Sequence, residues 1–379
     1  MLATDNRCGD GLAGKPLWML RPLGVFFMAR FVNLLVFSAA AAVAASYGDR
    51  LDGRPWPAIL QTKSLFLRAV FGWDASWYVY IARNGYPSHN PLESGMAFFP
   101  GFPLLIRLVA RSTGLSYAVV AFGAAAAVLL WLLSQQLGGA AFADRSVALF
   151  AFFPGAFVFS MAYAEPMMIA LSIGCLLCLL RQRWIAAGIC GALATATRPN
   201  AVVLVVCCLM AAVVAVRRSS DWKALWAPAL TLVGVGSYFT FLWHRSGRLF
   251  AWLDVQHDIW HERVSPIASL QKAARLIHHL DPNDLVPTLG LIVAGVGIVL
   301  LLRWDPSKVL VVYAVGVIVL AAAAGNLGVR PRFVLTAFPL VQAFAWRVQG
   351  LSFAVLLAVS AVLLAMLTFL TAITLLLIP

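Results

Sequence analysis

From residue 350 to the C-terminus the chain carries no charged side chain. Apolar runs of comparable character recur from residue 22 onward, separated by short basic or longer mixed connectors. About 20 consecutive apolar residues let a helix cross the hydrocarbon core of a bilayer. The runs are continuous rather than alternating, which excludes a transmembrane β-barrel. With 62% hydrophobic and 11% charged residues and a mean hydropathy of +0.88, the chain is far from the roughly 45–50% apolar, about 25% charged balance of a soluble domain. The predicted fold is all-α: one integral membrane domain over residues 1–379 with about 11–12 transmembrane helices. Spans are placed at 22–46, 115–138, 146–162, 164–181, 184–197, 199–216, 224–243, 284–303, 307–324, 332–347 and 350–376. The stretch 97–112 is apolar but short and carries Arg107 and Arg111. It reads as an interfacial or re-entrant helix or as a twelfth span.

The net charge of +13 has a topogenic origin, because Lys and Arg gather on the cytoplasmic side of membrane helices. Nucleic acid is therefore not an expected partner. Arg7, Lys15 and Arg21 precede the first span and place the N-terminus in the cytoplasm. Arg181 with Arg183, then Arg217, Arg218 and Lys223, then Arg303 with Lys308, mark the other short basic connectors. All fall on one side if 97–112 does not cross. The segment Phe31 to Ala45 ends in small residues but has 30 residues before it, so it reads as an uncleaved signal anchor. Cys175, Cys178, Cys190, Cys207 and Cys208 lie in apolar segments and read as packing residues, and Cys8 lies in the polar N-terminal tail.

Two long connections, 47–96 and 244–283, then face outward. They hold all six histidines: His89, His244, His257, His261, His278 and His279. Asp49, Asp52, Asp74, Glu93, Asp254, Asp258, Glu262, Asp281 and Asp284 lie in or beside them. Titratable chemistry gathers on the outer face, which points to a site there rather than to a pore lined along its length.

Six constellations stand out. In Phe71 to Tyr86, a helix would place Asp74, Trp77 and Tyr78 on one face, a carboxylate among aromatic rings. Such a carboxylate can take a proton from a hydroxyl, and aromatic rings stack on the apolar faces of sugars. An interfacial aromatic belt with a helix-capping Asp gives the same pattern. In Ala97 to Pro103, two prolines among phenylalanines fix a bent segment at the membrane. Glu165, before Pro166, is a carboxylate at the outer end of a span, where it is costly unless paired or wet. Arg198, in Thr197 to Asn200, lies at a hairpin tip and can grip a phosphate with two donors. Arg330 and Arg332 flank Pro331 at another outer end and suit an anionic headgroup or lipid phosphate. For Glu165 and the arginines, contact with the interface or lipid headgroups is the simpler alternative. Asp254, His257, Asp258 and His261 have metal-like spacing, but an exposed amphipathic helix has it too, and no metal is expected.

Together these residues resemble the PIG-V mannosyltransferase family, with its bacterial polyprenyl-phosphomannose-dependent phosphatidylinositol mannoside mannosyltransferases. The resemblance rests on Trp73-Asp74 through Tyr86, Ala97 to Pro103, Tyr163 to Glu165, Thr197 to Asn200, Gln256 with Trp260, and Arg332-Phe333 before Phe338-Pro339. These occur in the family's order from about residue 71 to 340. Ala75 stands where the family commonly has Gly, Trp77 occupies a position often held by His or Trp, and Ala164 replaces a Ser.

The resemblance implies a GT-C glycosyltransferase fold and an inverting sugar transfer, with mannose the sugar implied. The donor would be a polyprenyl-phosphate sugar and the acceptor a lipid-linked or glycolipid hydroxyl. Asp74 would be the general base. Arg198, Arg330, Arg332 and Glu165 would bind the donor phosphate or sugar. Trp73, Trp77, Tyr78, Tyr86, Gln256, His257 and Trp260 would bind the acceptor or sugar. No cofactor is implied, and membrane lipids are the other partners. The location implied is the bacterial cytoplasmic membrane, with the site on the periplasmic or extracytoplasmic face. The rivals are a flippase for lipid-linked sugars and a GT-C enzyme using another sugar. A transporter should show inverted repeats and mid-membrane ionisable groups, and no internal repeat is visible.

Overall fold

A computed structural model describes residues 16–47, 64–86, 92–109, 115–265 and 267–373. The expectations for Arg7, Cys8, Lys15, Asp49, Asp52, His89 and Arg111 lie outside these. Among the described residues the regular structure is helical, apart from one isolated bridge between Val264 and Ala324.

The helices run in chain order as α1 (Leu20–Tyr47), α2 (Leu65–Val70), α3 (Asp74–Asn84), α4 (Gly101–Val109), α5 (Leu115–Gly138), α6 (Ala140–Ala151), α7 (Glu165–Leu180), α8 (Trp184–Thr195) and α9 (Val203–Ser219). They continue as α10 (Trp226–Ser246), α11 (Ala251–Asp258), α12 (Ala268–Arg275), α13 (Pro282–Trp304), α14 (Lys308–Ala322), α15 (Pro331–Thr336), α16 (Pro339–Arg347) and α17 (Gly350–Ile373). Among the described residues, six helical segments are long and apolar enough to cross a membrane, and a seventh crossing results if the bent pair Pro154–Ser160 and Glu165–Leu180 is one span. The protein is thus an all-α polytopic membrane protein.

Two of the expected spans are broken, and those at 184–197 and 307–324 are helices of only 12 and 15 residues, so six or seven long apolar helices among the described residues stand against the 11–12 expected. The span expected at 146–162 is instead the end of α6 followed by the 3-10 turn Pro154–Ser160. Pro154 lacks an N–H and cannot continue the helix of α6. The span expected at 332–347 is split into α15 and α16, with Pro339 opening the second piece. The helix of the 97–112 stretch, α4, has nine residues, about 14 Å at 1.5 Å per residue. A bilayer core is about 30 Å thick, so α4 by itself cannot cross.

The break after α6 leaves carbonyls without helical partners, and a buried cation fills that role. Arg30 of α1 is 4% exposed. Its Nη2 donates to the Ala151 carbonyl at 2.8 Å and its Nη1 to the Ala156 carbonyl at 2.5 Å and to Ser160 Oγ at 3.1 Å. The guanidinium lies over the rings of Phe26 and Phe159, at 5.4 and 5.5 Å. Asn33 Nδ2 also reaches Ser160 Oγ, and Asn33 Oδ1 accepts from Thr368 Oγ1 at 3.2 Å. Thus α1, the broken segment and α17 are held by one polar network. Close helix contact elsewhere comes from small residues. A Cβ at Gly234 of α10 would strike the Ala192 carbonyl of α8.

The second long connection, between α10 and α13, is clipped along the segment after α14. Gly325 N–H donates to the Arg263 carbonyl at 2.9 Å and Ser265 N–H to that of Ala323 at 2.8 Å. Glu262 accepts the N–H groups of Asn326 and Leu327, at 2.8 and 3.2 Å. At the base of the clip, Asp284 accepts from Arg275 Nε and Nη2, both at 2.6 Å, and lies 3.5 Å from Lys272 Nζ.

Candidate active site

The first site residue is placed by a strained turn. Trp73 has φ 58° and ψ −129°, a backbone region that costs a non-glycine residue about 1–3 kcal/mol. The conformation is held from three sides. The indole N–H reaches the Thr371 carbonyl of α17 at 3.4 Å, and the Trp73 carbonyl accepts Ser76 Oγ at 2.8 Å and Ser76 N–H at 3.1 Å. Just upstream, the Val70 carbonyl accepts the N–H of Ala162 at 3.2 Å. The turn therefore ends with Asp74 as the first residue of α3, beside the segment that leads into α7. Unpaired N–H groups at a helix start favour a carboxylate there.

Four charges meet in a row. Arg332 Nη1 is 2.9 Å from Asp74 Oδ2 and 3.5 Å from Glu165 Oε1. Glu165 Oε2 is 2.7 Å from Arg198 Nη1. Side-chain exposure falls from 24% at Asp74 and 11% at Arg198 to 3% at Arg332 and 0% at Glu165. Two carboxylates alternate with two guanidiniums, so the charges of the row balance. The Arg332 guanidinium also lies over the rings of Tyr163 and Phe333, at 5.6 and 5.0 Å. Tyr78, 3% exposed, lies within the field of all four groups. Burial pushes its phenol up, Arg198 opposes this, Asp74 and Glu165 add to it, and Arg332 opposes it.

The Phe-Phe-Pro segment and the Thr-Arg-Pro-Asn segment touch directly. Gly101 N–H donates to the Ala196 carbonyl at 2.7 Å. A Cβ at Gly101 would stand 2.8 Å from both that carbonyl oxygen and Thr197 Oγ1, so only glycine permits the approach. The contact fixes the backbone leading into Arg198. Beyond this contact, Trp77 stacks on Phe98 with ring centres 6.0 Å apart, and Trp260 packs edge-on against both, at 6.2 and 5.8 Å. Trp260 is 38% exposed. A half-open aromatic box thus sits on the helix that begins with Asp74.

A family model described as Mannosyltransferase (PIG-V) matches residues 25–218, just over half of the chain. The chain belongs to the PIG-V mannosyltransferase family. No curated protein matches the sequence. Membership makes the protein a membrane glycosyltransferase that moves a mannosyl group, with a sugar donor and a lipid-linked acceptor in general terms. The matched region of the PIG-V family contains Asp74, Gly101, Glu165 and Arg198, and Arg330 and Arg332 lie beyond it.

Not all of the expected site residues gather here. Asp74, Glu165, Arg198 and Arg332 meet directly, with Tyr78 beneath them and Trp77 and Trp260 in the box. Trp73 supplies the turn and an anchor. Tyr86 is committed elsewhere: its hydroxyl donates to the Phe98 carbonyl at 2.7 Å, and its own carbonyl accepts Arg245 Nη2 at 2.7 Å. His257 pairs with Asp258 at 2.7 Å on the surface, 61% exposed. Gln256 accepts the Glu262 N–H at its backbone carbonyl. Arg330 is 1% exposed and lies beside Arg332, on the side toward Glu262, Asp281 and Asp284.

Other residues that shape the site carried no assigned role in the sequence, although Tyr163 and Asn200 stand inside the segments that carry the resemblance. Tyr238 of α10 and Trp252 of α11 donate to the carbonyls of Met96 and Ala97, at 2.6 and 3.0 Å, and so brace the Phe-Phe-Pro segment. Tyr163 is fully buried beneath Arg332. Asn200 keeps its amide oxygen and nitrogen buried without a hydrogen-bond partner, two residues from Arg198. Arg30 did carry a sequence signal: it is a cation inside an apolar span, where ionisable residues are costly.

Proposed function

We propose that the protein transfers mannose from a polyprenyl-phosphate donor to a hydroxyl of a glycolipid acceptor, with inversion at the anomeric carbon and Asp74 as general base. The observation that carries this reading is a partly open carboxylate, Asp74, held 2.9 Å from a buried guanidinium, Arg332, below the Trp77–Phe98–Trp260 box. In one step, Asp74 takes the proton of the acceptor hydroxyl and the acceptor oxygen bonds to the anomeric carbon. The bond from that carbon to the phosphate oxygen breaks, and its electrons stay with the departing lipid phosphate. A β-linked donor then gives an α-linked product. Arg332 and Arg198 would offset the charge that grows on the phosphate, the role of preorganised cations at a developing anion. The aromatic box would take the sugar or acceptor ring. No metal is assigned to the step.

We place the site on the extracytoplasmic face of a bacterial cytoplasmic membrane. Glu165 opens α7 and Arg198 follows α8, whereas Arg181 and Arg183 join the other ends of these two helices. The basic connector and the row of charges are thus at opposite ends of one hairpin, and basic connectors favour the cytoplasm.

The test is transfer of radiolabelled mannose from polyprenyl-phosphomannose into membrane lipids, comparing wild type with Asp74→Asn, with and without EDTA. Label with wild type alone, unaffected by EDTA, supports the reading. Undiminished transfer by Asp74→Asn would remove the base assignment, and EDTA-sensitive transfer would overturn the metal-free step. If wild type transfers no label from mannose but does from another polyprenyl-phosphate sugar, the sugar assignment fails. If a panel of such donors gives none, the polyprenyl-phosphate donor assignment fails.

A further inference from the structure

Glu165 is the least accessible member of the row: its side chain is 0% exposed, and neither carboxylate oxygen makes a hydrogen bond of good geometry. Its only close partners among the described residues are the guanidiniums of Arg198 and Arg332. A group enclosed in this way does not meet a substrate, and a carboxylate facing a donor phosphate would repel it. Its location is nevertheless closely fixed. It is the first residue of α7, followed by Pro166, and the backbone two residues before Ala164 is tied to Val70. Asp74 follows Val70 by four residues, so the same link sets the separation of the two carboxylates.

We infer that Glu165 is a positioning residue for the transfer: a buried counter-anion that fixes Arg198 and Arg332 from behind, so that Arg332 is shared between Asp74 and the donor phosphate. The inference rests on the transferase reading above and replaces the donor-binding role that the sequence suggested for this residue. Two carboxylates compete for one nitrogen of Arg332, at 2.9 and 3.5 Å. If Glu165 loses its charge, Asp74 is the remaining carboxylate beside Arg332, and the guanidinium is drawn fully onto the base. A base locked in an ion pair is a poorer proton acceptor, and its geometry shifts. The loss therefore falls on the chemical step and not on recognition of the sugar.

The test is the kcat and donor KM of Glu165→Gln and Glu165→Asp with polyprenyl-phosphomannose, alongside competition by polyprenyl-phosphoglucose. For Glu165→Gln, kcat should fall about 10²-fold, the effect of a misplacement of ~1 Å in a catalytic geometry. The donor KM should change by less than about threefold, within the range of one weak contact, and discrimination between the two sugars should be unchanged. Glu165→Asp, which keeps the charge, should recover part of kcat. A Glu165→Gln variant with near-normal kcat and a raised donor KM, or with lost sugar discrimination, would overturn the inference and leave the transferase reading standing. Failure of wild type itself to transfer from any lipid-phosphate sugar would instead remove the transferase reading. Should Glu165→Gln fail to fold, Glu165→Asp alone is read: its shorter side chain draws the carboxylate back from Arg332 and Arg198, so kcat should fall while donor KM and sugar discrimination hold, and a normal kcat with a raised donor KM would equally overturn the inference.

Discussion

The row Asp74–Arg332–Glu165–Arg198 and the cluster Lys272–Arg275–Asp284 are both charge networks at helix ends, but they are built differently. In the second, one carboxylate receives two parallel guanidinium N–H bonds of 2.6 Å, with an ammonium at 3.5 Å. This fork geometry satisfies the carboxylate and suits a structural clasp. In the first, Glu165 Oε1 and Oε2, Arg198 Nε and Nη1, Arg332 Nε and the neighbouring Asn200 amide lack a well-formed hydrogen bond. Buried polar groups left unpaired cost about 1–3 kcal/mol each. A fold retains such groups where they serve something other than stability, and active sites are the usual place. The clasp satisfies its carboxylate and ties α12 to the start of α13. The row leaves buried polar atoms unpaired beside an open carboxylate.

The largest effect that would sharpen this contrast is at Asp74. Asp74→Asn should lower transfer about 10²–10⁴-fold, the usual weight of a general base, while thermal stability in detergent stays near wild type. A large loss of stability with modest loss of rate would make the row a structural network like the clasp. Arg332→Ala comes next. It should weaken the donor by about 10–100-fold, the scale of a charge-assisted bond of roughly 1.5–3 kcal/mol, with little change in acceptor KM; isothermal binding with unchanged donor affinity would clear Arg332 of that role. Arg30→Met should cost about 2 kcal/mol or more in unfolding stability by leaving the Ala151 and Ala156 carbonyls unpaired. Here a melting temperature equal to wild type would show that the broken segment does not depend on the guanidinium.

The smallest effect concerns the clip. Burial raises the Glu262 carboxyl above its ordinary value of 4.5, and the amides of Asn326, Leu327 and Gly325 oppose the rise. A raised acid binds its proton more tightly folded than unfolded. Its stabilising contribution is therefore complete below about pH 4.5 and is lost as pH rises through the folded value. Glu262→Gln should flatten that slope in a melting series from pH 4 upward. An unchanged slope would assign it to other groups.

Much of the fold was legible because apolar run length is a local property. The helices α1, α5, α9, α10, α13 and α17 were visible as the apolar runs 22–46, 115–138, 199–216, 224–243, 284–303 and 350–376. The two runs broken by Pro154 and Pro339 were not read as broken, although a proline interrupts each. The candidate site was legible as a set of segments, since Asp74, Glu165, Arg198 and Arg332 stand in short polar stretches between apolar ones. Tyr86 and His257 look equally chemical in sequence, yet one holds a carbonyl and the other pairs at the surface.

The sequence by itself determined that this protein lives in a membrane, where its charges concentrate, and that a carboxylate begins an aromatic helix. Those follow from hydropathy and spacing, which need no partner. Only the tertiary structure decided which charges meet. Arg332 reaches Asp74 across 258 positions of chain, and Arg30 reaches the Ala156 carbonyl across 126. Such pairings depend on which helices pack and at what depth, and nothing local in the chain encodes the distance between them. The same packing makes Gly101 indispensable, because only there does the Ala196 carbonyl come close enough to exclude a side chain.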